Sequence, residues 1–303
     1  MAMLSRKAVM KKLRRWRNWR ASLKSRLGLP LSLVELPVLN QRLIVREGMI
    51  SNEADYDQAW LLACLLRAEV YFDIGANMGQ SALLAVFCEH LRHMLLVEPN
   101  PEALTLAAEH VIMNGLVANV RFIDAFVSDV VNEPVRLWTV GSGSAGSMYS
   151  SHAKTAFRLH QFIETQTTTL DRLCEVHQLV PDFVKIDVEG AEYLVLRGSG
   201  SCAAHNKTRF LVEMHSNTQL TMTENAANIL AWCAAVGYRA WYLSQTVELT
   251  APEQLHDRGR CHLLLQPQAW TFPDWLRNLQ QSGPIEAAMA AYTAEQHASP
   301  ARH

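Results

Sequence analysis

The strongest constraint on the fold is an apolar strand that runs directly into a turn containing two glycines. Residues 70–72 form the strand, and residues 73–79 (Asp-Ile-Gly-Ala-Asn-Met-Gly) form the turn. A second apolar strand, at 94–97, ends on Glu98. Open α/β sheets bind their ligands at the carboxyl ends of parallel strands, where such a turn exposes the backbone. The pattern predicts a sheet of this kind with a nucleoside ligand, and Glu98 suits the two hydroxyls of its ribose.

The glycine spacing and the charge of the turn distinguish between nucleoside cofactors. A dinucleotide pyrophosphate needs the closely spaced G-x-G-x-x-G turn, whereas this turn has only Gly75 and Gly79. Asp73 at the strand end would repel a pyrophosphate, but it suits the sulfonium and ammonium groups of S-adenosylmethionine. Glycine turns also serve close packing, so the turn alone leaves this interpretation open.

A second block, residues 183–192 (Phe-Val-Lys-Ile-Asp-Val-Glu-Gly-Ala-Glu), predicts a buried parallel strand that ends among three carboxylates. Asp187 and Glu189 are expected to face the same crevice as the glycine turn, because parallel strands end at one edge of the sheet. Glu192 is expected to begin a helix, where an acidic side chain interacts favourably with the helix dipole.

The order of these motifs resembles that of the FkbM-type methyltransferases. The motifs are D-I-G-A-N-x-G at 73–79, V-E-P-N-P at 97–101, T-x-L-D-R-L at 168–173, K-I-D-V-E-G-A-E-x-x-V-L-x-G at 185–198 and L-V-E-M-H at 211–215. The resemblance runs from about residue 55 to about residue 265, and the fourth motif is the most particular to the family. It implies a Rossmann-like class I methyltransferase fold, S-adenosylmethionine as cofactor, and methyl transfer, usually to oxygen, on secondary metabolites, sugars or glycolipids.

The resemblance also assigns cofactor-binding residues position by position. The matching residues are Asp73, Gly75, Ala76, Asn77, Gly79, Glu98, Asn100, Asp124 and Ala125. Glu98 takes the role of the ribose carboxylate, and Asp124 lies where an acceptor for the exocyclic amine of adenine is expected. The family often has asparagine at that position, and a turn or capping role for Asp124 is an equal alternative.

The candidate catalytic residues are Asp187, Glu189 and His215, with Glu213 as a further possibility. Methyl transfer to oxygen is an in-line displacement, so alignment in a dry site does most of the work. A base that removes the hydroxyl proton adds about 10²–10⁴-fold. His215 has a suitable intrinsic pKa, but a histidine after a strand is more often a structural hydrogen-bonding group. Carboxylates also bind divalent ions, yet no further motif completes such a site, and we predict no metal.

The first 34 residues differ sharply in charge from the rest of the chain. They contain no acidic residue and ten of the 28 Lys and Arg, so the remainder has 18 basic and 29 acidic side chains, a net charge of −11. Apolar side chains recur at mostly three- and four-residue intervals from Leu4 to Leu27, which predicts an amphipathic helix. Residues 4–28 would contact a membrane surface, bind RNA, or pack on their own domain or a partner subunit; we favour nucleic acid least.

The alternation of strands and helices predicts the domain organisation. We expect a basic arm at 1–34, a methyltransferase domain at 35–268, and a peripheral, partly disordered tail at 269–303. The domain is expected to hold a mostly parallel seven-stranded sheet with helices on both faces. The last two strands, at 238–243 and 262–265, should form an antiparallel edge hairpin joined by a long loop.

Local signals predict several further elements. Helices are expected at 55–67, 81–91, 101–113 and 224–235, and an antiparallel strand at 135–140. Asn100 is the expected N-cap of the third of these helices. The glycine- and serine-rich residues 141–147 are expected to form a mobile lid.

Cysteine usage and hydropathy bear on the cellular setting. The six cysteines lie far apart without a C-x-x-C pair, so neither a disulfide framework nor a zinc site is indicated. No stretch of eighteen apolar residues occurs, so no bilayer span is predicted. We expect a cytoplasmic protein, with contact to the inner face of the membrane as a possible role of the arm.

The function predicted from these observations is S-adenosylmethionine-dependent O-methylation of a small-molecule, glycan or glycolipid acceptor. The alternative is an RNA methyltransferase that uses the basic arm. A non-catalytic scaffold is disfavoured because the acidic turn and Glu98 are both intact. An oxidoreductase is disfavoured because the central glycine of the dinucleotide turn is missing.

Overall fold

The computed structural model describes Lys24 and residues 31–48, 57–116, 119–140, 146–150, 153–216, 219–255 and 259–298. Nearly all of the predicted arm and most of the glycine- and serine-rich loop lie outside the described residues. The amphipathic arm helix and the lid therefore stay predictions.

The strands are β1 (Leu33–Val38), β2 (Gln41–Arg46), β3 (Val70–Ile74), β4 (His93–Val97), β5 (Asn119–Ile123), β6 (Phe126–Val127), β7 (Pro134–Trp138), β8 (Phe162–Thr168), β9 (Phe183–Ile186), β10 (Arg209–His215), β11 (Tyr238–Tyr242), β12 (Val247–Leu249) and β13 (Arg260–Pro267). The α-helices are α1 (Gln58–Leu65), α2 (Pro101–Met113), α3 (Lys154–Arg158), α4 (Leu170–His177), α5 (Glu192–Arg197), α6 (Gly200–Ala204), α7 (Met222–Val236), α8 (Asp274–Arg277) and α9 (Ile285–Ala298). Two 3₁₀-helices span Ala82–Phe87 and Pro252–Gln254.

The main sheet has eight strands in the order β12-β11-β13-β10-β9-β3-β4-β5. The strands from β10 to β5 in this order are parallel, and β13 runs antiparallel to both of its neighbours. Strand β3 pairs with β4 on one side and β9 on the other, so the chain reverses its direction of winding there. Such a switch point opens a crevice at the carboxyl ends of the strands. The predicted Rossmann-like class I methyltransferase fold is confirmed.

The strand count corrects the prediction, whereas the antiparallel pairing expected for the last two strands, β11 and β13, is confirmed. The sheet has eight strands where seven were expected, because the long loop after β11 contributes β12, which pairs antiparallel with β11 at the edge. Strand β13 lies between β10 and β11 and not at the edge. This insertion sets Glu213 of β10 directly opposite His262 of β13.

A small sheet of β6, β8 and β7 lies beside the carboxyl end of the main sheet. Strand β7 pairs antiparallel with β8, which confirms the antiparallel partner expected for this segment. Along β7 the side chains alternate, so that Leu137 is buried while Arg136 faces solvent. The two faces of this ribbon therefore have different environments.

The turn after β3 leads into a 3₁₀-helix and not into the long α-helix predicted for residues 81–91. The 3₁₀-helix spans Ala82–Phe87 and ends before Cys88, whose backbone is extended. Ser81 would be a natural cap, but its hydroxyl donates to Asp73 Oδ2 at 2.6 Å and no side-chain cap forms. The helices predicted at 101–113 and 224–235 are confirmed, and the one predicted at 55–67 spans Gln58–Leu65. Asn100 caps α2 as predicted, because its side chain accepts from the amides of Glu102 and Ala103.

Part of the C-terminal segment packs against the main domain. Helix α9 packs on α1, and Leu276, Leu279 and Ala288 are buried in the same apolar cluster as α1. Trp60 Nε1 donates to the carbonyl oxygen of Leu279 at 3.2 Å. The segment up to residue 298 therefore covers one face of the main domain.

Across the described parts of the chain, no helix has the length and apolarity that crossing a bilayer demands.

Candidate active site

Two clefts open at the carboxyl ends of the central strands. Cleft A, of about 550 Å³, has an apolar wall formed by Ile74, Val97, Pro99, Ala125, Phe126, Val127, Leu137 and Val188, and a polar rim formed by Asn77, Glu98, Asp187 and Glu189. Cleft B, of about 680 Å³, is lined mainly by polar groups, among them Asp57, Gln58, Gln80, Lys185, Glu213 and Arg260. Gly75, Asn77, Asp187 and Glu189 line both clefts. These four residues form the wall where the clefts meet.

The two glycines of the turn are required by packing within the protein. Gly75 has φ +85°, and a Cβ there would lie 1.8 Å from the carbonyl oxygen of Asp187. Gly79 has φ +79°, and its Cβ would lie 3.0 Å from the Cα of Ala107 in α2. The close-packing alternative therefore explains both glycines. Gly75 still shapes the clefts, because it brings the ends of β3 and β9 together.

Glu98 provides a buried carboxylate in cleft A. Its Oε2 accepts from the backbone amide of Asn77 and its Oε1 from that of Asn100, both at 2.9 Å. Burial raises the pKa of Glu98 to about 7, even though these two amides lower it. Each carboxylate oxygen keeps a lone pair for a further donor. Glu98 is therefore poised to accept hydrogen bonds from a ligand, and such donors would favour its ionised form.

Asn77 adds a second acceptor to the wall of cleft A. Its backbone is left-handed, with φ +47°. Its side-chain Oδ1 is buried and has no hydrogen-bond partner among the described residues. Buried acceptors of this kind normally have a partner. The unpaired oxygen, the Glu98 carboxylate and the apolar wall together fit a ligand with hydroxyl and ammonium donors and a flat aromatic ring, as S-adenosylmethionine has.

The structure separates the predicted cofactor residues into two groups. Gly75, Asn77, Glu98 and Ala125 line cleft A. The others do not: Asp73 is fully buried, Ala76 lines cleft B, Gly79 packs on α2, Asn100 is the buried cap of α2, and Asp124 is exposed. Asp73 accepts from Ser81 beneath the turn, and Asn100 positions Glu98 through its amide. Their direct contacts with a cofactor stay predictions.

Asp187 lies at the wall shared by the clefts and is paired with a buried lysine. Lys185 Nζ donates to Asp187 Oδ2 at 3.0 Å, and the two side chains form an ion pair. Burial raises the pKa of Asp187 to about 6, while Lys185 opposes that rise. Burial alone would lower the pKa of Lys185, but Asp187 and Asp73 raise it overall. At neutral pH the pair is therefore an ammonium and a carboxylate.

His215 is held by carboxylates on two sides. Its Nδ1 lies 3.0 Å from Glu192 Oε1, and its Nε2 lies 3.6 Å from carboxylate oxygens of Glu189 and of Glu213. Burial alone would lower the pKa of His215, but Glu192, Asp187 and Glu189 raise it to about 10. Glu192 begins α5 as predicted, yet its carboxylate is fully buried and also orients His215. His215 is therefore a fixed cation at neutral pH.

A second ionic cluster in and behind cleft B was not found from the sequence. His262 Nε2 lies 3.3 Å from Glu213 Oε2 and 3.7 Å from Asp57 Oδ2, and Arg260 Nη1 donates to Glu213 Oε1 at 2.9 Å. Burial alone would lower the pKa of His262, but these acids raise it to about 9. Burial would likewise raise the pKa of Glu213, but His262 and Lys185 hold it well below its usual range. The sequence signal that could have indicated this cluster was a polar residue inside each of two apolar strands, Glu213 in β10 and His262 in β13.

Within the part of the chain that the structure describes, two groups of three side chains have the spacing that a metal ion needs. Asp187, Glu189 and His215 form one, and Asp57, Glu213 and His262 the other, each with one ligand atom per residue within 4.8 Å of the others. In both groups a protonated imidazole already balances the carboxylates. A metal ion would have to displace that proton.

A comparison with models of protein families gives a match that covers most of the predicted domain. The model of the methyltransferase FkbM domain matches residues 73–240, which is more than half of the chain. A search of curated proteins finds no match.

Solved structures give weaker similarities. The FkbM methyltransferase of Methylobacillus flagellatus KT is 14% identical with a TM-score of 0.41; the match covers 65% of this chain and 43% of that one. P. horikoshii TYW2, solved in complex with MeSAdo, is 11% identical with a TM-score of 0.41, over 84% and 83% of the two chains. A SAM-dependent methyltransferase from Agrobacterium tumefaciens is 10% identical with a TM-score of 0.42, over 78% and 70%. The chain thus spans less than half of the Methylobacillus protein, and similarities this low identify neither a substrate nor a partner.

Proposed function

The chain belongs to the FkbM methyltransferase family and is an S-adenosylmethionine-dependent methyltransferase, and from that premise we propose that it methylates a hydroxyl group of a neutral, polyhydroxylated acceptor such as a glycan, a glycolipid or a secondary metabolite. The observation that carries this proposal is the wall shared by clefts A and B, where Asp187 and Glu189 face both. A methyl group and its acceptor must meet at such a boundary.

Cleft A is the proposed cofactor site. When bound, S-adenosylmethionine supplies an electrophilic methyl group on a sulfonium. Glu98 would accept the ribose hydroxyls, and Asn77 Oδ1 offers an acceptor for a further donor. The apolar side chains from β6, β7 and the turn after β9 exclude water from the opposite wall.

Asp187 and Glu189 are the proposed groups that take the proton from the acceptor hydroxyl. Asp187, whose pKa is raised to about 6 by burial, is ionised at neutral pH and still basic enough to accept a proton. Lys185 fixes its carboxylate through the 3.0 Å contact. His215 is already protonated, so we propose a positioning and electrostatic role for it, acting on Glu189 and Glu213.

The lining of cleft B favours a neutral acceptor over RNA. Four carboxylates (Asp57, Asp187, Glu189 and Glu213) face this cleft, against two cations, Lys185 and Arg260. Carboxylates accept hydrogen bonds from sugar hydroxyls and repel phosphates. Within the described residues, cleft B therefore suits a polyol better than a nucleic-acid backbone.

The test combines binding and turnover. Calorimetric titration with S-adenosylhomocysteine should give micromolar affinity for the native protein and for Asp187→Asn, and weaker affinity for Glu98→Gln. Transfer of labelled methyl groups to a panel of sugars, glycolipid headgroups and natural-product alcohols should be detectable with native protein and fall about a hundredfold in Asp187→Asn, within the range for loss of a general base. Methylation of RNA in place of every alcohol would refute the proposed acceptor class, and failure to bind S-adenosylhomocysteine would refute the assignment of cleft A.

A further inference from the structure

The small sheet carries an exposed apolar patch beside strand β7. Three large apolar side chains within six residues are strongly exposed: Phe157 by 47%, Leu159 by 57% and Phe162 by 40%. The Trp138 ring meets Phe157 and Phe162 edge-on, at centroid distances of 5.0 and 5.3 Å. These four residues form what we call the aromatic patch. Contiguous exposed apolar groups of this kind mark interaction surfaces.

The charge around the aromatic patch is opposite to that of the surrounding domain. Residues 134–163 contain no Asp or Glu, although the chain from residue 35 onward has a net charge of −11. Lys154 and Arg158 of α3 are exposed, and neither has an ion-pair partner in the part of the chain that the structure describes. Arg136 lies 4.1 Å over the Phe162 ring and is paired with Glu164. The patch is therefore apolar with an uncompensated basic border.

The aromatic patch and cleft A lie on opposite faces of one ribbon. Along β7, Leu137 lines cleft A, whereas its neighbours Arg136 and Trp138 belong to the patch side. Ser147 forms a bridge to Trp138 and donates its hydroxyl to the carbonyl oxygen of Glu189 at 2.8 Å. A partner that binds the aromatic patch would therefore contact strand β7, and β7 is connected through Ser147 to the wall where the clefts meet.

We propose that the aromatic patch, with Lys154 and Arg158, docks the enzyme on the surface of a membrane that contains anionic lipid. Exposed aromatic and leucine side chains beside basic residues are the combination that partitions into a headgroup region. A symmetric dimer through this patch would bring Lys154 and Arg158 of two copies together without a carboxylate from the segment to balance them. RNA is less suited, because Leu159, the most exposed member, has no ring on which a base can stack. This surface consists of residues outside the predicted arm, and cofactor binding does not depend on it.

The test is co-sedimentation of the full chain with vesicles of phosphatidylglycerol and phosphatidylcholine in equal amounts, and with vesicles of phosphatidylcholine alone. We expect binding to the anionic vesicles that weakens as salt is raised. In the full chain with its arm intact, the double substitution Phe157→Ser with Leu159→Ser should weaken partitioning about tenfold. The double substitution Lys154→Glu with Arg158→Glu should weaken it at least about tenfold and reduce the salt dependence.

The matched control is Ile112→Ser, which removes an exposed apolar side chain, 71% exposed, from α2. It should leave partitioning unchanged, and all variants should keep the native affinity for S-adenosylhomocysteine, which separates this test from that of the proposed function. Partitioning that survives both double substitutions, an equal loss in the control, or binding of an RNA oligonucleotide in place of vesicles would each overturn the proposal.

Discussion

Clefts A and B share a wall but hold their carboxylates in opposite ways. In cleft A, Glu98 is held by two backbone amides, and burial raises its pKa to about 7. In cleft B, Glu213 is held by Arg260 and His262, and its pKa lies well below the usual range. The Glu98 carboxylate can accept further hydrogen bonds from a ligand, whereas the Glu213 carboxylate is already paired with cationic side chains of the protein.

This difference indicates different tasks for the two clefts. The cations that satisfy the acids of cleft B are the protein's own, so this cleft keeps its charge arrangement with or without a ligand. Among the described residues, no cationic side chain pairs with Glu98, and Asn77 Oδ1 has no partner, so a ligand would complete the electrostatics of cleft A. We therefore propose that cleft B is a preformed arrangement of charges that presents Asp187, and that cleft A is the cleft that binds the cofactor.

Substituting Gly75 should break both clefts at once, and it has the largest expected effect. A Cβ at residue 75 would overlap the carbonyl oxygen of Asp187 at 1.8 Å and would stand on a backbone with φ +85°. Gly75→Ala should therefore lower the free energy of unfolding by about 4 kcal/mol, from backbone strain and overpacking together. Urea denaturation followed by circular dichroism measures it.

The control for that substitution is Gly115→Ala. Gly115 also has a positive φ, +60°, but a Cβ there meets nothing within 4 Å. Its cost should be the left-handed strain alone, about 1 kcal/mol. Equal losses for the two variants would show that Gly75 is needed only for its backbone conformation and that the contact between β3 and β9 is not tight.

Removing the charge of Glu213 should disrupt the ionic cluster of cleft B and leave cleft A intact. Glu213→Gln leaves His262 and Arg260 without their shared carboxylate, so the free energy of unfolding should fall by about 3 kcal/mol. Glu248→Gln, which removes the partly exposed partner of Arg239, should cost less than about 1 kcal/mol. A cost for Glu213→Gln as small as that of the control would mean that the cluster is not a preformed arrangement of charges.

The sequence predicted cleft A better than cleft B, and the reason is physical. The turn, Glu98 and the Asn100 cap lie close together in the chain, so local signals located them. The Asp57, Glu213 and His262 cluster depends on the insertion of β13 beside β10, which sets residues 213 and 262 opposite each other. No local sequence pattern indicates the order of the strands in the sheet. For Gly75, the sequence located the residue but not the contact that requires a glycine there. That contact is with Asp187, which is far away in the chain.

Substituting Glu98 by glutamine, Glu98→Gln, tests the ligand-binding role proposed for cleft A. The amide loses the charge and turns a donor group towards the backbone amide of Asn77 or of Asn100. Affinity for S-adenosylhomocysteine should fall about thirtyfold, in line with loss of a hydrogen bond to a charged group. Asp124→Asn, at an exposed position outside the cleft, should change affinity by no more than about twofold. An equal loss in Asp124→Asn would place the adenine contact at Asp124 after all.

The smallest expected effect is on pH, and it follows directly from the contrast between the clefts. A ligand that donates to Glu98 binds its ionised form, so binding should weaken as pH falls through the pKa of about 7. The dissociation constant of S-adenosylhomocysteine should be about tenfold higher at pH 6 than at pH 8, and Glu98→Gln should abolish that dependence. His215 and His262, with pKa values of about 10 and 9, stay protonated throughout this range and contribute nothing to it. Turnover at saturating cofactor should instead fall near pH 6, as Asp187 is protonated. A single midpoint shared by binding and turnover, and kept in Glu98→Gln, would show that one group governs both clefts and that the contrast between them is mistaken.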